Sequence, residues 1–241
     1  MNLVSIIIPS WNRKEDLYCI LTSLEKQDYP HFEVIVIDNG SKDGSIELVE
    51  KEFPHVHLHK NPKNMGACIA KNQGVLLAKG NYVHFLDSDT EMSHPSVIRN
   101  MVGILENHPH IGAVGGEAYK TSNGIITKRK EITINAETST YIMDTEEYHV
   151  FVCGYVATCN AMMRKRDLER CRGFDPELFY LGEDKEIGYK LKKMGLKSVI
   201  DSNCLVYHYV SDKERKSVFF LFHKNRIRIV LMNYPLYVIP F

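Results

Sequence analysis

"FEVIVIDNGSKDGS", residues 32–45, holds the pattern that sets the fold. Val34 to Ile37 form an apolar, β-rich run, Asp38 to Asp43 a polar turn containing glycine, and Ser45 opens a helix carrying Ile46, Val49 and Phe53. The same unit comes before it: Val4 to Ile8 end at Pro9, and Leu17, Ile20, Leu21 and Leu24 then fall on one helical face. It comes again after it, as a strand at His55 to His59, the loop "KNPKNMGAC" and a helix through Ala70 and Leu77. The next strand is the apolar part of "YVHFLDSDTE", residues 82–91. Strands alternating with helices of this length favour a parallel sheet, because parallel neighbours need crossover connections. Ligands of such sheets bind beyond the carboxyl ends of the strands. Asp38 and Asp87 share that edge.

After Pro95 the pattern loosens into an α+β half. Val97, Met101, Ile104 and Leu105 have helical spacing, 111–119 and 124–134 are strand-like, and 135–149 is polar. "EDKEIGYKLKKMG" predicts a helix from Glu183 with Ile187, Leu191 and Met194 on one face and Gly195 as its stop, followed by a strand at Lys197 to Ile200. The expected division is 1–95 as an α/β half, 96–215 as an α+β half of the same domain, and 216–241 as a C-terminal basic and apolar helix. That tail contains no apolar run of the roughly 18 to 20 residues that a bilayer span needs. Its Lys224, Arg226 and Arg228 among aromatic and aliphatic residues suit either a helix packed on the domain or one resting on an anionic membrane surface.

With 44% apolar residues, 241 residues can bury one large core. Thirty basic and thirty acidic side chains cancel, so no global field recruits nucleic acid, and charge-based recognition has to be local. The six cysteines are scattered without a Cys-x-x-Cys pair, which argues against a zinc site or a disulfide scaffold. Met1 leads straight into a strand with no signal-peptide pattern. These features predict a cytoplasmic protein, with a peripheral contact on the inner membrane face left open by the tail.

Asp87 and Asp89, one residue apart, repel each other unless a positive group sits between them. Oxygen ligands so spaced suit Mg²⁺ or Mn²⁺, which keep waters and bridge to phosphates. In an arbitrary protein such a pair more often caps the next turn. The haloacid dehalogenase pattern expects a threonine two residues beyond the second aspartate, where Glu91 stands, and expects the motif on the first strand. A Gly-x-Gly-x-x-Gly dinucleotide loop and a Walker loop are both missing, the first turn being "PSWNRKED". A phosphate group must therefore be held by metal and side chains.

"VSIIIPSWNR", "VIVIDNGSKDGS", "NMGACIAKNQGVLLAKGNYVHFLDSDT" and "GFDPELFYLGEDKEIGYKLKKMGLK" stand in an order and spacing that resemble the family 2 glycosyltransferases. The closing segment "YHYVSDKERKS" to "NYP" looks most like the branch with bacterial rhamnosyltransferases. The resemblance implies an α/β GT-A fold: a Rossmann-like nucleotide-binding half with a mixed central sheet, and an α+β acceptor-binding half. It implies that Pro9, Ser10, Asn12 and Arg13 line the nucleotide pocket, that Asp38 hydrogen-bonds the base, and that Asn64, Gly66 and Lys71 flank the nucleotide. Asp87, Ser88 and Asp89 match the Asp-x-Asp motif, with Asp87 toward the ribose or a metal-bound water and Asp89 on the metal. His208 matches a further metal or diphosphate contact. Asp184 matches the catalytic base, with Glu183 orienting it or facing the acceptor.

Duller roles exist for each. Asp38 can cap a turn, Lys71 can be a solvated helix residue, His208 a structural histidine, and Glu183 and Asp184 a helix cap. The function implied is metal-assisted, inverting transfer of a single sugar from a UDP-, dTDP- or GDP-linked donor to a saccharide or lipid-linked acceptor, in polysaccharide or glycoconjugate assembly. The sole tryptophan is Trp11, so the Gln-x-x-Arg-Trp motif of processive relatives is absent. The competing classes are a nucleotide-sugar-binding protein without turnover and a sugar nucleotidyltransferase, whose glycine-rich first loop "PSWNR" does not supply.

Overall fold

The computed structural model describes residues 1–122, 125–128, 141–145, 148–209 and 219–233. The repeated unit appears as β1 (Val4–Ser10), α1 (Lys14–Leu24), β2 (Phe32–Asp38), α2 (Ser45–Glu52), β3 (His57–Lys60), α3 (Ala67–Leu77) and β4 (Tyr82–Leu86). Beyond it follow β5 (Thr90–Met92), α4 (Val97–Asn107), β6 (Ile111–Ser122), β7 (Ile125–Lys128), β8 (Tyr141–Thr145), β9 (Tyr148–Cys153) and β10 (Asn160–Arg164). The chain closes with α5 (Lys165–Arg170), α6 (Glu183–Lys193), β11 (Lys197–His208) and α7 (Phe219–Asn233).

One sheet runs in the order β3-β2-β1-β4-β10-β6-β11-β9-β8, with β5 attached to β11 and β7 to β6. The four strands of the repeat are parallel, as their crossovers require. β10 then enters antiparallel between β4 and β6, and the sheet becomes mixed. It passes without interruption from the first 95 residues into the rest. Strand alternation sends Ile6 and Ile8 to the layer with α1 and α4, and Ile7 to the layer with α3 and α6. Burial on both faces explains the unbroken apolar runs of β1, β2 and β4.

Three features differ from the sequence reading. The polar stretch 135–149 contains β8 and the start of β9; 129–140 lie outside the described residues, as does the tail beyond 233. β10 was not expected, because its Ala161, Met162 and Met163 have no β-branched residue to mark a strand. The strand that begins at Lys197 continues to His208. Between Asp201 and Val206 its register shifts, and there β11 exchanges β9 for β5 as its partner. Gly116 of β6 admits that irregularity: a Cβ there would lie 1.4 Å from the Cys204 carbonyl oxygen. Past the shift, His208 lies opposite Thr90.

Candidate functional site

The carboxyl ends of β1 and β2 form the first wall of the site. Asp38, 1% exposed, lies opposite Ser10 in register, and its Oδ1 accepts the N–H groups of Gly40 at 2.9 Å and Ser41 at 2.8 Å. Among the described residues neither Asp38 Oδ2 nor Ser10 Oγ has a hydrogen-bond partner. A buried polar atom left so costs roughly 1–3 kcal/mol, unless a ligand completes it. Pro9 precedes Ser10 on β1. The loop after β1 is stitched to the loop after β2: Asn12 donates its N–H to Ser41 Oγ (2.9 Å), and its Oδ1 accepts the Lys42 N–H (2.8 Å). Asn64 Oδ1 accepts the N–H of Gly66 (2.9 Å), whose φ of 87° and closeness to the Phe179 ring suit glycine alone.

The second wall is the turn after β4. Asp87 accepts through its carbonyl oxygen from Thr90 N–H (3.2 Å) and Thr90 Oγ1 (2.7 Å), which folds 87–90 back into β5. The antiparallel β5–β11 pairing then brings His208 to the aspartates: its Nε2 is 3.0 Å from Asp89 Oδ1 and 3.9 Å from Asp87 Oδ2. Arg13 Nη2 lies 3.9 Å from Asp89 Oδ2 and Arg13 Nη1 donates to Asp16 (3.1 Å). Buried Ser88 separates the two aspartates. Burial works against a charged His208, but the hydrogen bond to Asp89 and then the neighbouring Cys159 outweigh it and raise it to about 11. Burial likewise pushes the Asp89 carboxyl up, and the His208 hydrogen bond, the His208 charge and the Arg13 guanidinium overcome it, leaving Asp89 below the usual carboxylate range. Asp87 is raised, by burial first, against the pull of Lys71.

One atom each from Asp87, Asp89 and His208 lie within 4.8 Å of one another. Once His208 gives up the proton it shares with Asp89, two carboxylate oxygens and an imidazole are a donor set suited to Mn²⁺ or Mg²⁺. The Asp87 side chain is 39% exposed against 15% for Asp89, so Asp87 is the more open to a ligand.

The third wall is the start of α6. Glu183 and Asp184 occupy its first turn, where unpaired amides favour acids. Lys71 of α3 reaches them from inside the protein: fully enclosed, its Nζ lies 3.0 Å from Glu183 Oε1, hydrogen-bonds Thr158 Oγ1, and sits 5.6 Å from the Phe174 ring centre. Burial disfavours its charge, but Glu183, Asp87 and Asp184 together hold the ammonium charged, above the usual lysine range. Lys71 thus feels the acids of α6 and the aspartate after β4 at once. Thr158 donates its N–H (2.9 Å) and its hydroxyl (2.6 Å) to Asp184 Oδ1. Burial, then the Glu183 charge, raise the Asp184 carboxyl to about 6, against Lys71 and Thr158.

The loop into α6 is backbone-strained. Phe179 and Leu181 have φ of 56° and 70°, which non-glycine residues rarely adopt. Buried Asn225 of α7 holds it: its Nδ2 lies 2.7, 2.8 and 2.7 Å from the carbonyl oxygens of Leu178, Tyr180 and Leu181. Arg228, one turn on, donates to both carboxylate oxygens of Asp175 (2.7 and 3.3 Å). Phe179 also accepts the Ala67 N–H at the start of α3 (2.7 Å), so the loop bears on both α3 and α7.

The structure therefore brings Asp87, Asp89 and His208 into one cluster and gathers Glu183 and Thr158 around Lys71, with Thr158 holding Asp184 and its neighbour Cys159 accepting the Asp87 N–H. Lys71, expected beside the nucleotide, points its ammonium at the α6 acids. Thr158 and Asn225 were missed. A lone threonine in "ATCN" and an asparagine inside an apolar helix carry no signal until their partners are known.

The model of the family "Glycosyl transferase family 2" matches residues 5–172, more than half of the chain. An uncharacterized glycosyltransferase of Escherichia coli strain K12, YibD, is 36% identical over 104 residues, 42% of this chain and 30% of that protein. The amylovoran biosynthesis glycosyltransferase AmsB of Erwinia amylovora is 27% identical over 86% of this chain and 70% of its own length. The chain spans 30 to 44% of the length of the first curated relatives it matches. A Pyrobaculum calidifontis mannosyltransferase, solved with GDP-Man and Mn²⁺, superposes with a TM-score of 0.73 at 20% identity, covering 96% of this chain and 64% of that one. Its likeness is one of fold, and that fold is GT-A. By the extent of the family match, this chain belongs to glycosyl transferase family 2.

Proposed function

We propose that this protein transfers a single sugar from a nucleotide-diphosphate sugar to an acceptor hydroxyl, with inversion at the anomeric carbon, in the assembly of a polysaccharide or glycoconjugate. One observation carries this reading: an Asp-Asp-His cluster and the acids of a helix start meet at residues 158–159, where Thr158 donates to Asp184 and the Cys159 carbonyl accepts the Asp87 N–H. Family membership supports it. The donor is UDP-, dTDP- or GDP-linked and the acceptor a saccharide or a lipid-linked saccharide.

In this reading Asp38 Oδ2 and Ser10 Oγ, otherwise without partners, receive the base or ribose, and Pro9, Asn12, Arg13, Asn64 and Gly66 line the same pocket. Asp89 and a deprotonated His208 would hold Mn²⁺ or Mg²⁺ with Asp87, beside Ser88. When bound, the ion offsets the charge that develops on the departing diphosphate. Asp184 takes the proton of the acceptor hydroxyl, which attacks the anomeric carbon from the face opposite the leaving group. Glu183, paired with Lys71, orients the helix start.

Residues 1–95 form the nucleotide half and 96–215 the acceptor half. Calorimetry with UDP, GDP and dTDP, each with and without Mn²⁺, tests the donor site. Binding of one nucleotide that tightens with Mn²⁺ is expected, and no binding of any would sink the proposal.

The outer face of α7 is the membrane contact. Phe219 (72% exposed), Phe220 (78%) and Ile227 (62%) stand out with exposed Lys224 and Arg226, and the helix has no acidic residue. Among the described residues no helix is long and apolar enough to cross a membrane. An apolar face bordered by cations suits the surface of an anionic bilayer. Sedimentation with phosphatidylglycerol vesicles is expected, and with phosphatidylcholine vesicles little. Equal recovery from both would remove the electrostatic part of this contact.

A further inference from the structure

The base assignment leaves open what aims Asp184 and tunes it. Asp184 has two carboxylate oxygens, and only one can face an acceptor. Both Thr158 donors fall on Oδ1, and among the described residues no donor falls on Oδ2. The Thr158 hydroxyl has a single hydrogen. Its direction toward Asp184 is enforced because the other side of Oγ1 is occupied by the Lys71 ammonium, which can only donate. Lys71 is in turn fixed by Glu183 and by its enclosure against Phe174.

The charged groups that act on Asp184 are Glu183, its neighbour on α6, and Lys71 of α3. Asp87, after β4, acts on the same lysine. Thr158 is the neutral member of this group, so it can be changed without altering the net charge.

We propose that Thr158 is the positioning residue of the base. Locked by Lys71, it engages Oδ1 of Asp184 and leaves Oδ2 as the proton-accepting oxygen, and its two hydrogen bonds favour the carboxylate form. This rests on Asp184 being the base, but the device itself can be read without a substrate. Its chemical logic is that a carboxyl pushed up by burial and by Glu183 would spend too much time protonated unless hydrogen bonds to the anion pulled it back. The hydroxyl therefore sets both orientation and working range.

The test uses the whole chain labelled with ¹³C at the aspartate carboxyls. The Asp184 resonance is assigned as the one missing from Asp184→Asn, and is followed from pH 4 to 9. Thr158→Val removes the hydroxyl with little change of shape. Its Asp184 midpoint is expected about one unit or more above that of the wild type, since a hydrogen bond to a charged group is lost. Thr158→Ala is expected to give the same shift, and guards against poor packing of the valine. Thr158→Ser, which keeps the hydroxyl, is expected to restore the wild-type midpoint. An unchanged midpoint in both Thr158→Val and Thr158→Ala would overturn the proposal. A shifted midpoint together with full transfer by Asp184→Asn would leave Thr158 as the partner of Asp184 but remove the base.

Discussion

Asp184→Asn is expected to lower the rate of sugar transfer by about 10²–10⁴-fold, the usual contribution of a positioned base, while nucleotide binding stays near the wild-type level. Asparagine keeps the shape and can still accept from Thr158 through its carbonyl oxygen, so α6 should fold as before. What is lost is the ability to take a proton. The wild-type rate carries a matching signature. With a carboxyl raised to about 6, the working form is the anion, so activity falls as pH drops through that value and recovers above it. Below the midpoint the loss approaches tenfold per unit. An Asp184→Asn protein that retains transfer, or a wild-type rate flat between pH 5 and 7, would remove the base from this residue.

Asp89→Asn is expected to abolish the Mn²⁺-dependent part of nucleoside diphosphate binding. Asp89 is the less exposed of the two aspartates and the direct partner of His208, so the change strips one anionic group from the cluster and the group that fixes the imidazole. Loss of a mere outer contact to a metal costs roughly 10–100-fold in affinity. Removal of a ligand should exceed about 100-fold. Calorimetry with and without Mn²⁺ reads this directly: the variant should bind equally weakly in both conditions. Tight binding that ignores Mn²⁺ would take the ion away from this cluster.

The sequence made the first four strands and their helices legible because each is long, periodic and bounded by a turn. Leu17, Ile20, Leu21 and Leu24 were assigned to one helical face, and all four are buried. The mixed half was harder to read. β5 is three residues immediately after a polar turn, and β10 is built of alanine and methionine, so neither has the composition of a strand. Yet β5 is what aligns His208 with Asp89, and β10 begins two residues after Thr158. Asp87, Asp89, His208 and Asp184 are candidates only through resemblance to a family, because a lone Asp-x-Asp or Glu-Asp has many duller explanations. Lys71 shows the limit of that transfer. Its match suggested the nucleotide, whereas its ammonium is committed to a glutamate 112 residues away in sequence. Only the folded chain reports such a pairing.

The Lys71 ammonium spans 87 residues of chain to Thr158 and 112 to Glu183, the latter one of the longer separations among the described residues. Long loops close late and slowly during folding, after local strand and helix pairs have formed. A nascent or truncated chain ending before α6 could thus possess a well-formed nucleotide half in which Lys71 lacks its carboxylate partner. Such a piece would leave the ammonium either uncompensated or open to water, so its fixed place against Thr158 and Glu183 depends on completion of the polypeptide.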